Sequence, residues 1–240
     1  MCNRYTPARG QDLQRDMFGA PQVNFPPGPL FPSYGRRIGP NADGPFLRLT
    51  VQGVEEVIGQ WGLIRPGMPT RLEKVKGRPR LTNNCRSDGM AVKPTFKAAW
   101  TQSRRCLISC WSFDDPNWET GKNVWWEMRR ADGRPWALAG LWSEWTDPAS
   151  GEVVPSYTMI TVNADHHPLM NRLHRPDPDL PPDQQDKRSV VPLSPADWDR
   201  WLHTHPEDAR TLLVLPEETD YRAGPADSMP PPATEQPQLI

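Results

Sequence analysis

The sequence predicts an α+β fold: a strongly curved, barrel-like, mostly antiparallel β-sheet core with a few peripheral helices. Three observations carry this expectation. The second half holds four β-rich runs, CLISCWSF, NVWWEMRR, WALAGLWSEW and SYTMITVNA, separated by turns such as ADGRP and DPASGE. In the first half FLRLTVQ and VEEVIGQWGLI read as two strands joined near Gly53. Only three short segments carry helical signals, and they lie between or beyond the strands.

Taken in order, QDLQRDMF (11–18) sets Leu13, Met17 and Phe18 on one side of a short helix. The prolines of NFPPGPLFPSYG forbid regular structure there. After the hairpin comes a basic loop, RPGMPTRLEKVKGRPR, and then the polar, turn-prone LTNNCRSDGM. Pro94 suits the first turn of a helix in PTFKAAWTQS, whose buried stripe is Phe96, Ala99 and Trp100. The four β-rich runs follow, and VVPL is a shorter strand candidate. SPADWDRWL predicts a helix with Ser194 as N-cap, Pro195 at the first helical position, and Trp198, Trp201 and Leu202 facing inward. Residues 1–215 are expected to form one domain, and 216–240 a proline-rich acidic tail too poor in apolar residues to order itself.

Composition narrows the functional classes. Hydrophobic residues make up 36% of the chain and there are 30 prolines in 240 residues, which implies a normal core with long irregular loops. No stretch approaches the roughly 18 apolar residues of a membrane span, and no basic-then-apolar leader opens the chain. A cytoplasmic, nucleoid-associated protein is expected. Cys2, Cys85, Cys106 and Cys110 form no C-x-x-C pair, and His166, His167 and His174 fall on no metal-ligand spacing, so neither a metal nor another cofactor is expected. The net charge of −1 hides an asymmetry. Eleven Lys/Arg lie between Arg65 and Arg105 against only Glu73 and Asp88, while thirteen acids face five bases from Asp177 onward. The basic block is either a local polyanion-binding face or a solvated charge run.

The start, MCNRYT, raises a chemical possibility. Removal of Met1 would give Cys2 an α-amine beside its thiol. The unperturbed pKa values of such groups, about 7.7–8.0 and about 8.5, leave a nucleophilic fraction of each near neutrality. A 1,2-aminothiol condenses with an aldehyde through the amine and closes a thiazolidine ring through sulfur. The plainer alternative is a small hydrophobe near a chain terminus.

The segments MCNRY, WGLI, NNCRSDGMAVKPTFKAAWTQSRRCLIS, AGLWSEW, MITVNADHHPLMNRLHRP and VVPL occur in an order and at spacings that are specific together. Across residues 1–202 the chain resembles the SRAP family, named for SOS response-associated peptidase, whose members process abasic sites in DNA. The resemblance implies that Cys2 is the nucleophile cross-linked to the ring-opened deoxyribose, after autocatalytic loss of Met1. It implies that Asn84 holds the N-terminal cysteine and the sugar, and that His174 moves a proton at the sugar oxygen. The family's Phe-Tyr-Glu is Phe-Asp-Asp here, so Asp115 falls at the glutamate position, with Asp114 and Glu119 close by. Asp88 likewise replaces a glutamate, and Arg175-Pro176 follows the histidine directly. For DNA, the resemblance implies phosphate contacts from Arg4 and Arg86 and base stacking by Trp61, and Arg175 joins this set. The expected partner is single-stranded or junction DNA carrying an abasic site, bound by a monomer. Two rival readings are a thiol peptidase using Cys2, Asn84 and His174, and a nucleic-acid-binding module in which the cysteine is incidental.

Overall fold

The computed structural model describes residues 2–16, 23–24 and 31–229. In chain order the elements are β1 (Arg4–Pro7), β2 (Val23–Asn24), β3 (Asp43–Thr50), β4 (Gly53–Trp61), β5 (Lys74–Val75), β6 (Arg78–Pro79), β7 (Asn84–Arg86), α1 (Pro94–Thr101), β8 (Arg105–Asn117), β9 (Val124–Arg130), β10 (Trp136–Thr146), β11 (Val153–Asn163), β12 (Arg188–Val190), α2 (Trp198–His203), α3 (Pro206–Arg210) and β13 (Tyr221–Pro225).

Five of these strands close a ring. β3 pairs antiparallel with β4, β4 parallel with β11, β11 antiparallel with β10, and β10 antiparallel with β8, which returns antiparallel to β3. These pairings join the five into a barrel, and strand alternation sorts their side chains into two cores. Cys106, Ile108, Cys110 and Leu138 join Tyr5, Phe46, Trp61, Tyr157 and Met159 in one cluster inside the ring. Leu107, Ala137, Ala139 and Leu141 face outward beneath α1 and α2, which contribute Phe96, Ala99, Trp100, Trp198, Trp201 and Leu202. Cys106 and Cys110 are buried thiols whose pKa values are raised by desolvation.

The 13-residue β8 is longer than the ring needs. Its first half lies between β3 and β10, and its second half between β1 and β9. The register against β1 jumps between Thr6, opposite Ser112, and Pro7, opposite Cys110, which leaves Trp111 as an extra residue. Such a bulge reverses the alternation. Upstream the even-numbered Cys106, Ile108 and Cys110 point into the ring; downstream Phe113 belongs to that same cluster.

Several local expectations are corrected. Gly10–Asp16 is a 3-10 helix with Leu13 buried, while Met17 and Phe18 lie outside the described residues. The basic loop carries the two-residue pair β5–β6. The segment read as a turn contains β7, which runs parallel to β11 with Asn84 opposite Met159. The strand near VVPL sits slightly earlier, at Arg188–Val190, on β11. Ser194 precedes Pro195 as expected, but its side chain makes no capping bond, and a 3-10 turn (Pro195–Asp197) leads into α2. The order extends past residue 215. β13 pairs with the outer edge of β9, and Tyr221 is buried against Trp136 with ring centroids 5.3 Å apart. Residues 230–240 lie outside the described residues. Among the described residues no helix is long and apolar enough to cross a membrane.

Candidate active site

Cys2, Asn84, Asp115 and His174 belong to four distant segments that meet at one end of the ring. β1 docks on β8, with Arg4 opposite Asp114, and so brings Cys2 to the downstream half of that strand. Cys2 is buried, and its S–H donates to the Arg4 carbonyl at 3.2 Å. Asn84, fixed by β7, donates from Nδ2 to the Cys2 carbonyl at 2.6 Å. Its neighbour Asn83 donates to the same oxygen at 3.2 Å and to Asn3 Oδ1 at 3.3 Å. Sequence reasoning passed over Asn83, for which a second asparagine in a polar run is only a weak signal.

Asp115, at the end of β8, is fully buried and lies 3.1 Å through Oδ1 from Nε2 of His174. Alternation sends the neighbouring acids to opposite faces, and the bulge at Trp111 sets which faces which way. Asp114 faces the other side of the strand, where Oδ2 takes Arg4 Nε at 3.1 Å and Nη2 at 2.9 Å, and Arg37 Nε at 3.0 Å. Arg37 also reaches Glu127 at 2.6 Å. Glu119 is exposed and paired with Arg172. Burial pushes the Asp114 carboxyl up to about 6 even though Arg37 and Arg4 pull it down. Burial likewise raises the Cys2 thiol well above its ordinary value, and the charges of Asp115 and Asp114 add to that effect. The resting state of this cysteine is therefore the neutral thiol.

His174 adopts φ 63°, in the left-handed region that non-glycine residues seldom enter. Its backbone N–H donates to the Pro116 carbonyl at 2.6 Å, and Leu173 bridges to Asn117, so the segment is tied to the end of β8.

The expected DNA-contacting residues are placed unequally. Arg4 lies over the ring of Trp125, 4.1 Å from its centroid, and keeps a third of its side chain exposed. Arg175 is exposed and sits 5.4 Å from the Trp118 ring. Arg86 is engaged by two carboxylates, Asp186 at 2.6 Å and Asp88 at 2.9 Å. Trp61 is corrected outright. It is fully buried, packs edge-on against Tyr5 at 4.9 Å, and donates from Nε1 to the Asn83 carbonyl at 3.0 Å. With no exposed face it supports the loop that holds Cys2 and offers nothing for a base to stack on.

Comparison with known proteins matches the sequence to a family. A sequence model described as SOS response associated peptidase (SRAP) matches residues 1–228. The chain belongs to the SRAP family. The SRAP chain is 29% identical over 168 residues to the abasic site processing protein HMCES of Xenopus tropicalis, covering 60% of this chain and 48% of that protein. It is also 29% identical over 165 residues to HMCES of Gallus gallus, covering 55% and 46%. It thus spans about half the length of these curated relatives. Among solved structures, a Bordetella bronchiseptica protein superposes with a TM-score of 0.76 at 31% identity, covering 93% of this chain and 99% of the other. A Bacteroides thetaiotaomicron protein superposes at 0.70 with 15% identity, covering 92% and 90%, which is a likeness of the SRAP fold alone. The match to residue 228 takes in β13 and places the end of the SRAP domain beyond the boundary expected at 215.

Proposed function

We propose that this protein captures abasic sites in DNA through Cys2, forming a thiazolidine cross-link. One observation carries the reading: the Cys2 carbonyl is gripped by Asn84 beside a buried Asp115–His174 pair. Loss of Met1 frees the Cys2 amine. The amine adds to the aldehyde carbon of the ring-opened deoxyribose, and the carbinolamine loses water to give an imine. The thiol then adds across the C=N bond, sulfur to carbon and the thiol proton to nitrogen. One water leaves and nothing is oxidised. His174, bonded to Asp115, supplies and retrieves the protons at the sugar and carbinolamine oxygens. Protein held on the lesion in this way suppresses the β-elimination that would break the strand. The names of the HMCES relatives agree with this substrate class.

A thiol held neutral by burial favours an order in which the amine reacts first and sulfur closes the ring. It weighs against the peptidase reading, in which His174 must first take the proton from a thiol that burial holds neutral. Cys2→Ser is the test. The variant keeps the amine and should bind undamaged single-stranded DNA like the parent, yet form no heat-stable adduct with an abasic oligonucleotide. An adduct of undiminished yield from Cys2→Ser would overturn the thiazolidine chemistry. Loss of DNA binding in both proteins would instead remove the substrate.

A further inference from the structure

The left-handed backbone of His174 is met by a contact from outside its own segment. Lys187 lies thirteen residues further on, immediately before β12, and is only 7% exposed. Its Nζ donates to the carbonyl of Leu173 at 2.8 Å and to the carbonyl of His174 at 2.8 Å. The lysine backbone is itself clamped: its N–H donates to Asp165 Oδ1 at 2.8 Å and its carbonyl accepts from Ala164 N–H at 2.8 Å. Burial lowers the Lys187 pKa, an effect that Asp165 opposes. A buried ammonium is costly unless acceptors surround it, and the turn at His174 sets the two adjacent carbonyls where one ammonium reaches both.

We propose that Lys187 is a positioning residue for His174: its ammonium holds the two carbonyls that lock the histidine backbone in the left-handed conformation, and this lock sets the imidazole against Asp115. Without it, Leu173 and His174 present two carbonyls lacking their charged donor, and the left-handed backbone loses a contact that holds it. The backbone then relaxes and the ring leaves the carboxylate. The catalytic half of this inference rests on the role given to His174 above; the structural half does not.

The test separates the two. With 15N-labelled histidine, the His174 ring signals are assigned by their absence from His174→Ala, and Lys187→Met is compared with the parent. The Nε2 signal should lose the displacement caused by its carboxylate partner and move to the position of a free imidazole, while the signals of the other four histidines stay in place. Lys187→Arg, which keeps a charged donor, should hold the His174 signal nearer the parent's than Lys187→Met does. On abasic single-stranded DNA, Lys187→Met should slow adduct formation at least tenfold, with affinity for undamaged DNA unchanged. If Lys187→Met does not fold, Lys187→Gln, whose shorter amide cannot serve both carbonyls, should move the signal in the same direction. A His174 signal unmoved in the folded Met or Gln variant overturns the proposal. A shifted signal in a protein whose parent forms no adduct leaves the positioning intact and overturns the cross-linking function.

Discussion

At the scale of single residues, the question is how two adjacent aspartates come to do different things. Asp115 meets His174, and Asp114 meets Arg4 and Arg37. Asp115→Asn should still bind DNA but form adduct about 10²–10⁴-fold more slowly, the usual worth of positioned acid–base assistance. A quench-flow or manual time course on abasic DNA checks this, and a parental rate would show Asp115 to be structural. Asp114 predicts a pH effect instead. Its folded-state pKa, about 6, lies above the unfolded value near 3.8. The native chain therefore holds a proton that the unfolded chain has released, and stability falls as pH rises from about 4 to about 6, then levels off. Asp114→Asn removes this slope, so urea denaturation should show the variant gaining roughly 2–3 kcal/mol on the parent between pH 4 and pH 7. The sequence could name both acids but could not choose on geometric grounds, because strict alternation along β8 would turn Asp114 inward; the bulge at Trp111 reverses the choice. Trp61 was misread for a related reason, since a tryptophan at a strand end looks alike whether it faces a groove or, as here, Asn83.

At the scale of elements, the strands with clear hydrophobic patterning, β3, β4 and β8–β11, were legible, as was α1, marked by Pro94. The short ones were not. NCR and YRAGP lack the run of branched or aromatic residues that marks a strand. They become strands because a neighbour offers an unpaired edge: β11 for β7, and β9 for β13. β13 makes a test of this dependence. Tyr221 is buried at the junction of Trp136 and His167, with ring centroids 5.3 and 5.7 Å away. Tyr221→Ala should cost about 3 kcal/mol, in the range for emptying an aromatic site, and removal of everything after Pro216 should cost at least as much. Urea midpoints of the two variants measure this, and values equal to the parent's would make β13 dispensable.

At the scale of the whole molecule, the near-neutral total charge conceals a division of labour that is only partly what the sequence suggested. The basic block is real, yet Arg71, Arg80 and Arg86 are each paired with carboxylates, so counting charges overstates the positive potential available to a polyanion. Arg4 is paired too, with Asp114, whereas Arg175 is exposed over the Trp118 ring, so Arg175→Ala should weaken binding of undamaged single-stranded DNA more than Arg86→Ala. Each contact truly lost should flatten the log–log salt dependence by about 0.7. Equal losses, with equal changes of slope, would mean that DNA displaces Asp88 and Asp186 from Arg86 at no net cost.

The burial of Cys2 has one more consequence. Free 1,2-aminothiols react with any small aldehyde, and a cell contains many, formaldehyde and glyoxal among them. An exposed Cys2 would be used up by such metabolites. In the folded chain the Cys2 sulfur is enclosed beside Arg4 and the asparagine loop, and on the proposed chemistry that enclosure would slow such reactions. The folded protein should thus gain the 12 Da mass of a formaldehyde-derived ring far more slowly than the same chain unfolded in urea, and intact mass spectrometry reads the two rates side by side. On the proposed function the enclosure is chemical insulation for an indiscriminate functional group.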